Sequence, residues 1–414
     1  MSYDRDYKKR QMRRRIIPGR QSEEEYAEDL ERTWNRRRKI RRGIILGIVI
    51  AMVLAAIAAF LIQRYYQYST CELVKERELS EGSFVGYERY GEYALKYSHD
   101  GASCIDKNGE DVWVDSYEMK NPVCYVSGEY ACIADIKGNN IFIYNTSGRI
   151  GNADTTLPIT KAVISENGIV ATVEEEEEAA FIHFYNKTGE TIDISIKSLL
   201  SGDGYPVDIA LSPAGTQLIT AYACLENGQI RSKVIFYDFS EIGKNVPNRL
   251  VGGFEAPFTE SLVGRVRFLN DTYSYAVADT GIYFFSSKNI SSPELIQEIP
   301  ITESTIESIY HNDEQVGLVL HNPAGSETQF SIVEYSGDGS EKLRYDFDAV
   351  FNHVSSDGKY LYIVGDSQCT IVNAYGNVKY QGEMKDSPQI ITHGNWPGRF
   401  VAYGGTYVRE YALK

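Results

Sequence analysis

Four residue types are scarce in this sequence. Its 414 residues include 5 methionines, 3 tryptophans, 6 cysteines and 6 histidines. Six cysteines are few for a disulfide-dense scaffold of this length, so we expect buried free thiols. The patterns H-E-x-x-H, C-x-x-C and G-x-S-x-G do not occur, which removes the common signatures of zinc proteases, dithiol redox proteins and serine hydrolases. The sequence therefore predicts no catalytic residue, no metal ligand and no cofactor-binding residue, and we expect a protein that is not an enzyme.

One segment lacks charged residues altogether. It runs from Gly43 to Ile62 and reads GIILGIVIAMVLAAIAAFLI. As a helix, twenty residues span about 30 Å, the thickness of a bilayer core. A signal peptide has a shorter apolar region, of about 7–15 residues, after a short basic tip. We predict a retained transmembrane helix over residues 43–62 that contacts the lipid bilayer, with cleavage near its small residues as the alternative.

The two sides of this segment differ in charge. Residues 1–42 contain 15 basic and 8 acidic residues, whereas residues 63–414 contain 27 basic and 49 acidic residues, a net charge of −22. Arg36–Arg42 adjoin one end of the apolar segment and Tyr65–Tyr68 the other, and basic flanks stay in the cytoplasm. We therefore predict a single-pass cell-membrane protein with a cytoplasmic amino terminus and an extracytoplasmic carboxyl-terminal domain. The acidic outer part argues against nucleic-acid binding.

Residues 1–42 are predicted to be a basic cytoplasmic head that is partly helical. Ser22 and Glu25 have the spacing of a capping box, which predicts a helix from Glu23 to Lys39 that continues into the membrane helix. Residues 63–70 are predicted to be a juxtamembrane linker. The head is either a topology signal or a docking site for a cytoplasmic partner.

A turn that recurs between short apolar runs is the most informative feature beyond residue 80. Runs rich in Val, Ile, Tyr and Phe alternate with Gly, Asn, Asp and Ser, which is typical of β-strands and their turns. This turn recurs eight times, at intervals of 37 to 57 residues: Gly91, Gly128, Gly168, Gly215, Thr272, Glu314, Gly358 and Gly398. A near-constant period of this length indicates a repeat architecture.

A second turn follows seven of these eight turns. It lies at Asp106–Gly109, Asn145–Gly148, Asn186–Gly189, Asp238–Glu241, Ser286–Asn289, Ser336–Gly339 and Asn373–Gly376. Two hairpin turns per repeat mean four strands, which is one blade of a β-propeller. We predict an all-β fold, an eight-bladed β-propeller over residues 71–414. The 57-residue interval after Gly215 leaves seven blades as the alternative.

The eighth repeat has only three strands of its own, because the chain ends at Lys414. An unpaired edge strand would expose a row of backbone donors and acceptors. Residues Cys71–Leu79 precede the first blade and belong to none. We predict that they form the outer strand of the last blade and close the ring.

Several stretches resemble known propellers. Ser212–Gly215 and Ser355–Gly358 resemble turns of WD40-like and TolB-like propellers, and Cys104–Trp113 resembles the repeat of quinoprotein-like propellers, in which a Trp docks one blade onto the next. The layout over residues 70–414 also resembles an uncharacterised group of single-pass bacterial membrane proteins with an extracytoplasmic propeller. At the positions that match Trp113, later repeats have Gly151-Asn152, Asp193 and Tyr380.

Three residue sets remain as candidates for chemistry. Glu174–Glu178 are five adjacent carboxylates, for which we expect an exposed, solvated loop, with a divalent ion or a basic partner as the alternative. Cys124 and Cys132 flank one turn, and a three-residue loop would place them directly opposite each other. The histidines show no metal-binding spacing, and we expect them at surfaces or turns, although ligands from several blades could meet at the axis: His99, His183, His311, His321, His353 and His393.

The anchor, the propeller and the missing catalytic motifs favour one function. We predict a membrane-anchored, extracytoplasmic binding or scaffold module of the bacterial cell envelope, with a protein or an envelope component as partner on the propeller. The alternative is an extracytoplasmic enzyme of quinoprotein-like type with its site at the central channel. Fold alone does not decide between them.

Overall fold

The computed structural model describes residues 23–79, 84–226, 228–312 and 314–414. They belong to two compact units, which meet in sequence between Tyr66 and Gln67. The first unit contains one helix, α1 (Glu23–Tyr65), of 43 residues. The predicted head helix and apolar segment are thus one continuous helix, which extends three residues into the predicted linker. Ser22 of the predicted capping box lies outside the described residues.

The apolar part of α1 has the length of a membrane span. Between Glu31 and Tyr65 the helix is long and apolar enough to cross a bilayer, with a mean hydropathy of 3.1 over its most apolar window. Its side chains from Gly43 to Ile62 are exposed. A signal sequence near the amino terminus can also meet these criteria of length and hydropathy, so α1 is by itself consistent with either role.

The second unit is an eight-bladed β-propeller, in which each blade is a four-stranded antiparallel sheet. The first four blades contain these strands: blade 1, β2 (Gly86–Tyr90), β3 (Tyr93–Tyr97), β4 (Gly101–Ile105) and β5 (Asp111–Ser116); blade 2, β6 (Pro122–Ser127), β7 (Tyr130–Asp135), β8 (Asn140–Asn145) and β9 (Gly148–Asp154); blade 3, β10 (Ile159–Ile164), β11 (Val170–Glu175), β12 (Ala179–Tyr185) and β13 (Thr191–Leu199); blade 4, β14 (Tyr205–Leu211), β15 (Gln217–Glu226), β16 (Gln229–Asp238) and β17 (Leu250–Phe254).

The last four blades complete the ring. They contain these strands: blade 5, β18 (Val263–Phe268), β19 (Tyr273–Ala278), β20 (Gly281–Ser286) and β21 (Glu294–Pro300); blade 6, β22 (Thr305–His311), β23 (Gln315–His321), β24 (Phe330–Ser336) and β25 (Glu341–Phe347); blade 7, β26 (His353–Ser356), β27 (Tyr360–Val364), β28 (Gln368–Asn373) and β29 (Val378–Glu383); blade 8, β30 (Ile390–His393), β31 (Arg399–Tyr403), β32 (Tyr407–Leu413) and β1 (Cys71–Glu78).

All eight predicted turns join the first and second strands of a blade. Six of them use a glycine with positive φ, a conformation that other residues adopt at a cost. The two turns without glycine use an asparagine side chain instead. Asn270 Oδ1 accepts hydrogen bonds from the backbone N–H groups of Thr272 and Tyr273, and Asn312 Oδ1 accepts one from Gln315, all at 2.9 Å.

The long interval after Gly215 lies within one enlarged blade. In blade 4, β15 and β16 are ten residues each, and 3₁₀ turns at Gly243–Asn245 and Pro247–Arg249 separate β16 from β17. A third 3₁₀ turn, Ala256–Phe258, leads on to blade 5. The extra length therefore lengthens a hairpin and its connections, and the seven-bladed alternative is wrong.

Strand β1 closes the ring. It pairs antiparallel with β32, from Cys71 opposite Leu413 to Glu78 opposite Tyr407, with a bulge after Leu73. Arg409 of β32 holds the carboxylate of Glu76 at 2.7 Å. The strand ends one residue before the predicted boundary at Leu79. Its side chains are exposed apart from Cys71, as expected for an outermost strand.

The hydrophobic core consists of eight clusters, each between two neighbouring blades. Val401 and Tyr403 of blade 8, for example, pack with Tyr87 and Ala94 of blade 1. The other seven clusters join blades 1–2, 2–3, 3–4, 4–5, 5–6, 6–7 and 7–8. A four-stranded sheet cannot bury both faces alone, and the closed ring buries them all.

Candidate functional site

The first strand of every blade borders a central channel. Side chains from all eight blades line a cavity of about 710 Å³. Its charged and titratable lining residues are Glu88, Arg89, Lys161, Glu166, Arg265, Arg267, His311 and Asp357. The channel is the site best placed to collect polar groups, because only there do all blades meet.

A buried carboxylate links three successive blades at the channel. Asp208 of β14 is almost fully buried and lies 2.7 Å from Lys161 Nζ and 3.1 Å from Arg267 Nη1. It also accepts a hydrogen bond from the Val266 N–H at 2.9 Å. Arg267 donates further to the carbonyls of Ile209 and Val266. These bonds hold Arg267 in place, as a buried ion pair requires for its stability.

Arg265, two residues before Arg267 on β18, is different. It is half-buried and lines the channel. Within the described part of the chain, no hydrogen bond or ion pair joins its guanidinium to another group. Blades 3 to 5 thus present three cationic side chains, Lys161, Arg265 and Arg267, near the buried carboxylate of Asp208, while Glu166 lines the channel from the turn after β10.

Two neutral polar groups lie within the field of the two arginines. His311 is exposed to the channel, and the enclosing protein together with the charges of Arg267 and Arg265 lowers its pKa to about 4. The hydroxyl of Tyr275 is buried without a hydrogen-bond partner among the described residues. Burial raises the pKa of Tyr275 to about 12, although both arginines act to lower it. We call Lys161, Arg265, Arg267, Tyr275 and His311 the basic wall.

Glu88 lies on the opposite side of the channel, on β2 of blade 1, four blades from blade 5. Burial raises the pKa of Glu88 to about 7. Its carboxyl group is therefore about half protonated at neutral pH. The channel thus carries three cations on blades 3 to 5, and on blade 1 it carries Arg89 beside a carboxyl group whose pKa is raised.

A second polar cluster joins blades 7 and 8 at one mouth of the channel. The buried carboxylate of Asp357 lies 2.7 Å from His393 Nδ1 and accepts hydrogen bonds from the Tyr362 hydroxyl and the Tyr360 N–H. Burial alone would raise the pKa of Asp357, but the hydrogen bonds from Tyr362, His393 and the backbone hold it below the ordinary value. An aspartate that orients a histidine in this way is one half of the arrangement found in acid–base catalysis.

His99, His311 and His321 are exposed, and the other three histidines are partly exposed. His311, His353 and His393 belong to the first strands of blades 6, 7 and 8, and His183 lies in β12. Sequence spacing could not show this, because the period of the ring brings distant positions to one axis. Within the part of the chain that the structure describes, no three metal-binding side chains form a group.

The expectation of a solvated glutamate run is wrong at its first position. Glu174 is fully buried in β11, where it accepts hydrogen bonds from Thr172 and Tyr185 and lies 3.1 Å from His183 Nδ1. Residues 175–178 are exposed. Glu174 lies within β11, which ends at Glu175, and successive side chains of a strand point to opposite faces, so Glu174 is buried and Glu175 is exposed.

Cys124 and Cys132 do not lie directly opposite each other, as a three-residue loop would have placed them. Cys124 lies opposite Ile133, and Cys132 lies opposite Tyr125, because the turn has two residues instead of three. The two thiols are therefore one register position apart, on opposite faces of the sheet. All six cysteines are free thiols.

The residues that sequence reasoning missed are the two arginines of the basic wall. They lie in the segment VGRVRF, Val263–Phe268. The usable signal was their spacing of two within the strand that precedes a recurring turn. Such a strand is the innermost one of its blade, so both side chains are close to the axis.

The channel does not fit a quinone cofactor with its metal ion. Such a group needs a dedicated pocket and acidic ligands for calcium, whereas the charged side chains assembled around Asp208 are cations. Trp113 does dock two blades, since its ring stacks on Tyr144 of blade 2 at 5.0 Å. That contact holds two blades together, and no reaction step in this channel is assigned to a quinone.

The fold is shared with solved propellers of low sequence identity. BamB from Moraxella catarrhalis matches with 12% identity and a TM-score of 0.50, over 83% of this chain and all of the other. Sqt1 from Chaetomium thermophilum matches with 10% identity and a TM-score of 0.51, over 84% of this chain and 97% of the other. At these identities the likeness shows the fold alone.

Sequence comparison gives the family. None of the curated protein sequences compared with this chain matches it. The model of a family of unknown function, DUF5711, matches residues 64–409, which is the whole propeller except its last strand end. The chain therefore belongs to the DUF5711 family.

Proposed function

We propose that this chain is a membrane-anchored, extracytoplasmic binding or scaffold module of the bacterial cell envelope. The observation that supports it is the exposed apolar stretch Gly43–Ile62 of α1, which precedes the ring-closing strand β1 by nine residues. Lipid is the environment in which such a helix surface is stable. The basic flank Arg36–Arg42 supports a cytoplasmic amino terminus.

The propeller supplies the binding part of this proposal. Its rigid ring offers a polar channel and two faces built from turns, and such surfaces serve recognition in many unrelated propellers. In this role the ring holds a protein or an envelope component outside the membrane, and it acts without catalysis.

A second candidate is an extracytoplasmic enzyme with its site at the channel. The hydrogen-bonded pair of Asp357 and His393 favours it, because the carboxylate fixes the histidine ring beside the channel mouth. Such a histidine would serve as a general base if a substrate placed a proton within hydrogen-bond reach of its other ring nitrogen.

Cross-linking in intact cells tests the binding proposal. The full-length chain carries an affinity tag at its amino terminus, because the carboxyl terminus is part of the ring closure. The matched control is the same tagged chain with β1 made unable to pair, by Leu73→Pro and Arg77→Pro. We expect membrane-bound protein and one reproducible partner, identified by mass spectrometry, that the control recovers poorly.

Two results would overturn the proposal. Release of a chain cleaved after the apolar stretch into the medium would replace the anchor with a signal sequence. Turnover of a small substrate by the purified chain, abolished by His393→Gln, would favour the enzyme.

A further inference from the structure

Going beyond the binding module, we propose that the basic wall of the channel binds the carboxylate or phosphate group of a small anionic molecule. Arg265, Arg267, His311 and Lys161 line the channel, and Tyr275 is fully buried on the neighbouring strand β19. The inference depends on the channel alone. It requires neither the anchor nor a protein partner.

Charge is the first argument. Asp208 neutralises one of the three cations near it, and it is already held by Lys161, Arg267 and a backbone N–H. Arg265 is left half-buried without a hydrogen bond or an ion pair to any described residue. A desolvated guanidinium gains most from an anionic partner that it holds by two parallel hydrogen bonds. An incoming oxyanion would supply that partner.

Geometry is the second argument. Arg265 and Arg267 are two residues apart on β18, so their side chains leave the same face of the strand with Cα atoms about 7 Å apart. Tyr275 lies directly opposite Arg267 on β19. Its hydroxyl is a buried donor without a partner among the described residues. A single oxyanion in the channel at this place would accept hydrogen bonds from Arg265.

His311 completes the wall in a neutral form. It lies on β22 of the next blade, close enough to both arginines for their charges to affect its pKa. A neutral imidazole can donate one hydrogen bond to an anion and does not repel the arginines. With its pKa lowered by the enclosing protein and by the two arginines, His311 is uncharged near neutral pH and is able to donate to an oxyanion.

Size and lining define the ligand further. A cavity of about 710 Å³ lies within the range of about 300–1,000 Å³ that is usual for small-molecule sites. Apolar side chains, among them Val163, Phe268 and Ile391, line part of it. The site therefore fits an organic acid or a phosphorylated compound of modest size and not a folded protein.

Calorimetric titration of the full-length chain in detergent tests the proposal. The probes are inorganic phosphate and citrate at pH 7.5, with glucose as an uncharged control. We expect one anion per chain and no heat from glucose. Arg265→Gln should weaken binding by about tenfold or more, because the paired hydrogen bonds and the charge are both lost.

Two further variants make the result decisive. Arg265→Lys retains the charge but loses the planar fork, so it should fold normally and weaken binding by several-fold. Arg344→Gln removes an arginine from the outermost strand β25, where it pairs with Glu341, and should bind like the parent. Binding of phosphate alone or of citrate alone supports the proposal and identifies the group recognised.

The contrary results are equally clear. Absence of heat with both anions, or equal affinities for Arg265→Gln and Arg344→Gln, would show that the wall binds no anion. Equal melting temperatures for parent and variants show that folding is unchanged. Neither result bears on the cross-linking experiment, so the two proposals fail independently.

Discussion

At the residue scale, one glycine lets the backbones of blades 2 and 3 approach. A Cβ atom on Gly151 of β9 would lie 2.5 Å from the carbonyl oxygen of Lys187 and 2.6 Å from the carbonyl carbon of Thr188. Trp113 occupies the matching place in blade 1 and docks by stacking on Tyr144. Two neighbouring interfaces thus use different contacts, one side chain on side chain and the other backbone on backbone.

Gly151→Ala should therefore be strongly destabilising. The added methyl group meets backbone atoms that cannot rotate away, so we expect a loss of about 2 kcal/mol in the free energy of unfolding. Gly202→Ala is the matched control, because a Cβ there would have no atom within 4 Å. Urea unfolding measures both variants, and equal stabilities would contradict the close approach.

The raised pKa of Glu88 predicts a pH-dependent stability. The folded pKa of about 7 exceeds the ordinary 4.5, so the folded state keeps its proton where the unfolded state has lost it. Stability therefore falls as pH rises from about 4.5 to 7 and is constant above that. Glu88→Gln lacks this loss and should be more stable than the parent at pH 8, by about 3 kcal/mol at most.

Melting temperatures across pH measure this effect. The difference between parent and Glu88→Gln should shrink as the pH falls towards 5 and vanish below it. His311→Gln serves as the control of opposite sign. The pKa of His311 is lowered, so the parent loses stability as pH falls from about 6.5 to 4, and this variant should not. A pH-independent gain for Glu88→Gln would contradict the assignment.

The polar residues of the channel were hard to predict for a physical reason. Arg265, Asp208 and His311 lie on three different blades, and their proximity follows from ring closure alone. The glutamate run gave a misleading signal for Glu174, because a run of like charges normally indicates a solvent-exposed loop. Its burial follows from the position at which β11 ends.

At the element scale, the hairpin turn is the unit that can be predicted from sequence. Glycine and asparagine at these turns relieve a local backbone constraint, so their pattern is visible without tertiary contacts. Turn positions therefore predict strand order and blade number correctly. The enlarged blade 4 shows the limit, since the length of β15 and β16 depends on contacts that no local pattern encodes.

The closing strand has a measurable effect on stability. A chain that begins at Gly82 should melt several degrees below one that begins at Gln67. It lacks seven paired positions with β32 and the ion pair of Glu76 with Arg409, and each lost ladder bond contributes about 1 kcal/mol. Differential scanning calorimetry measures the shift, and coincident transitions would mean that β1 adds nothing to closure.

At the scale of the whole molecule, the number of blades follows from counting turns. The side of the membrane on which the propeller lies does not follow from the fold. Charge on the two sides of α1 predicts the orientation. Protease added to intact, wall-stripped cells should therefore degrade residues 70–414 and spare the amino-terminal head. Antibodies against each end detect the fragments on a blot. Degradation of the head before the propeller would show that the orientation is the reverse of the one predicted.

The position of β1 between helix and ring has a mechanical consequence. Tension along the chain from α1 first reaches the propeller at Tyr68, whose N–H donates to the Lys379 carbonyl, and then passes to the ladder between β1 and β32. A pull would therefore open the ring before it unravels a blade. A break of the chain between β1 and β2 would also leave the propeller attached, held by that ladder and by the backbone hydrogen bonds of residues 68–70, and the propeller would be released only when these bonds open.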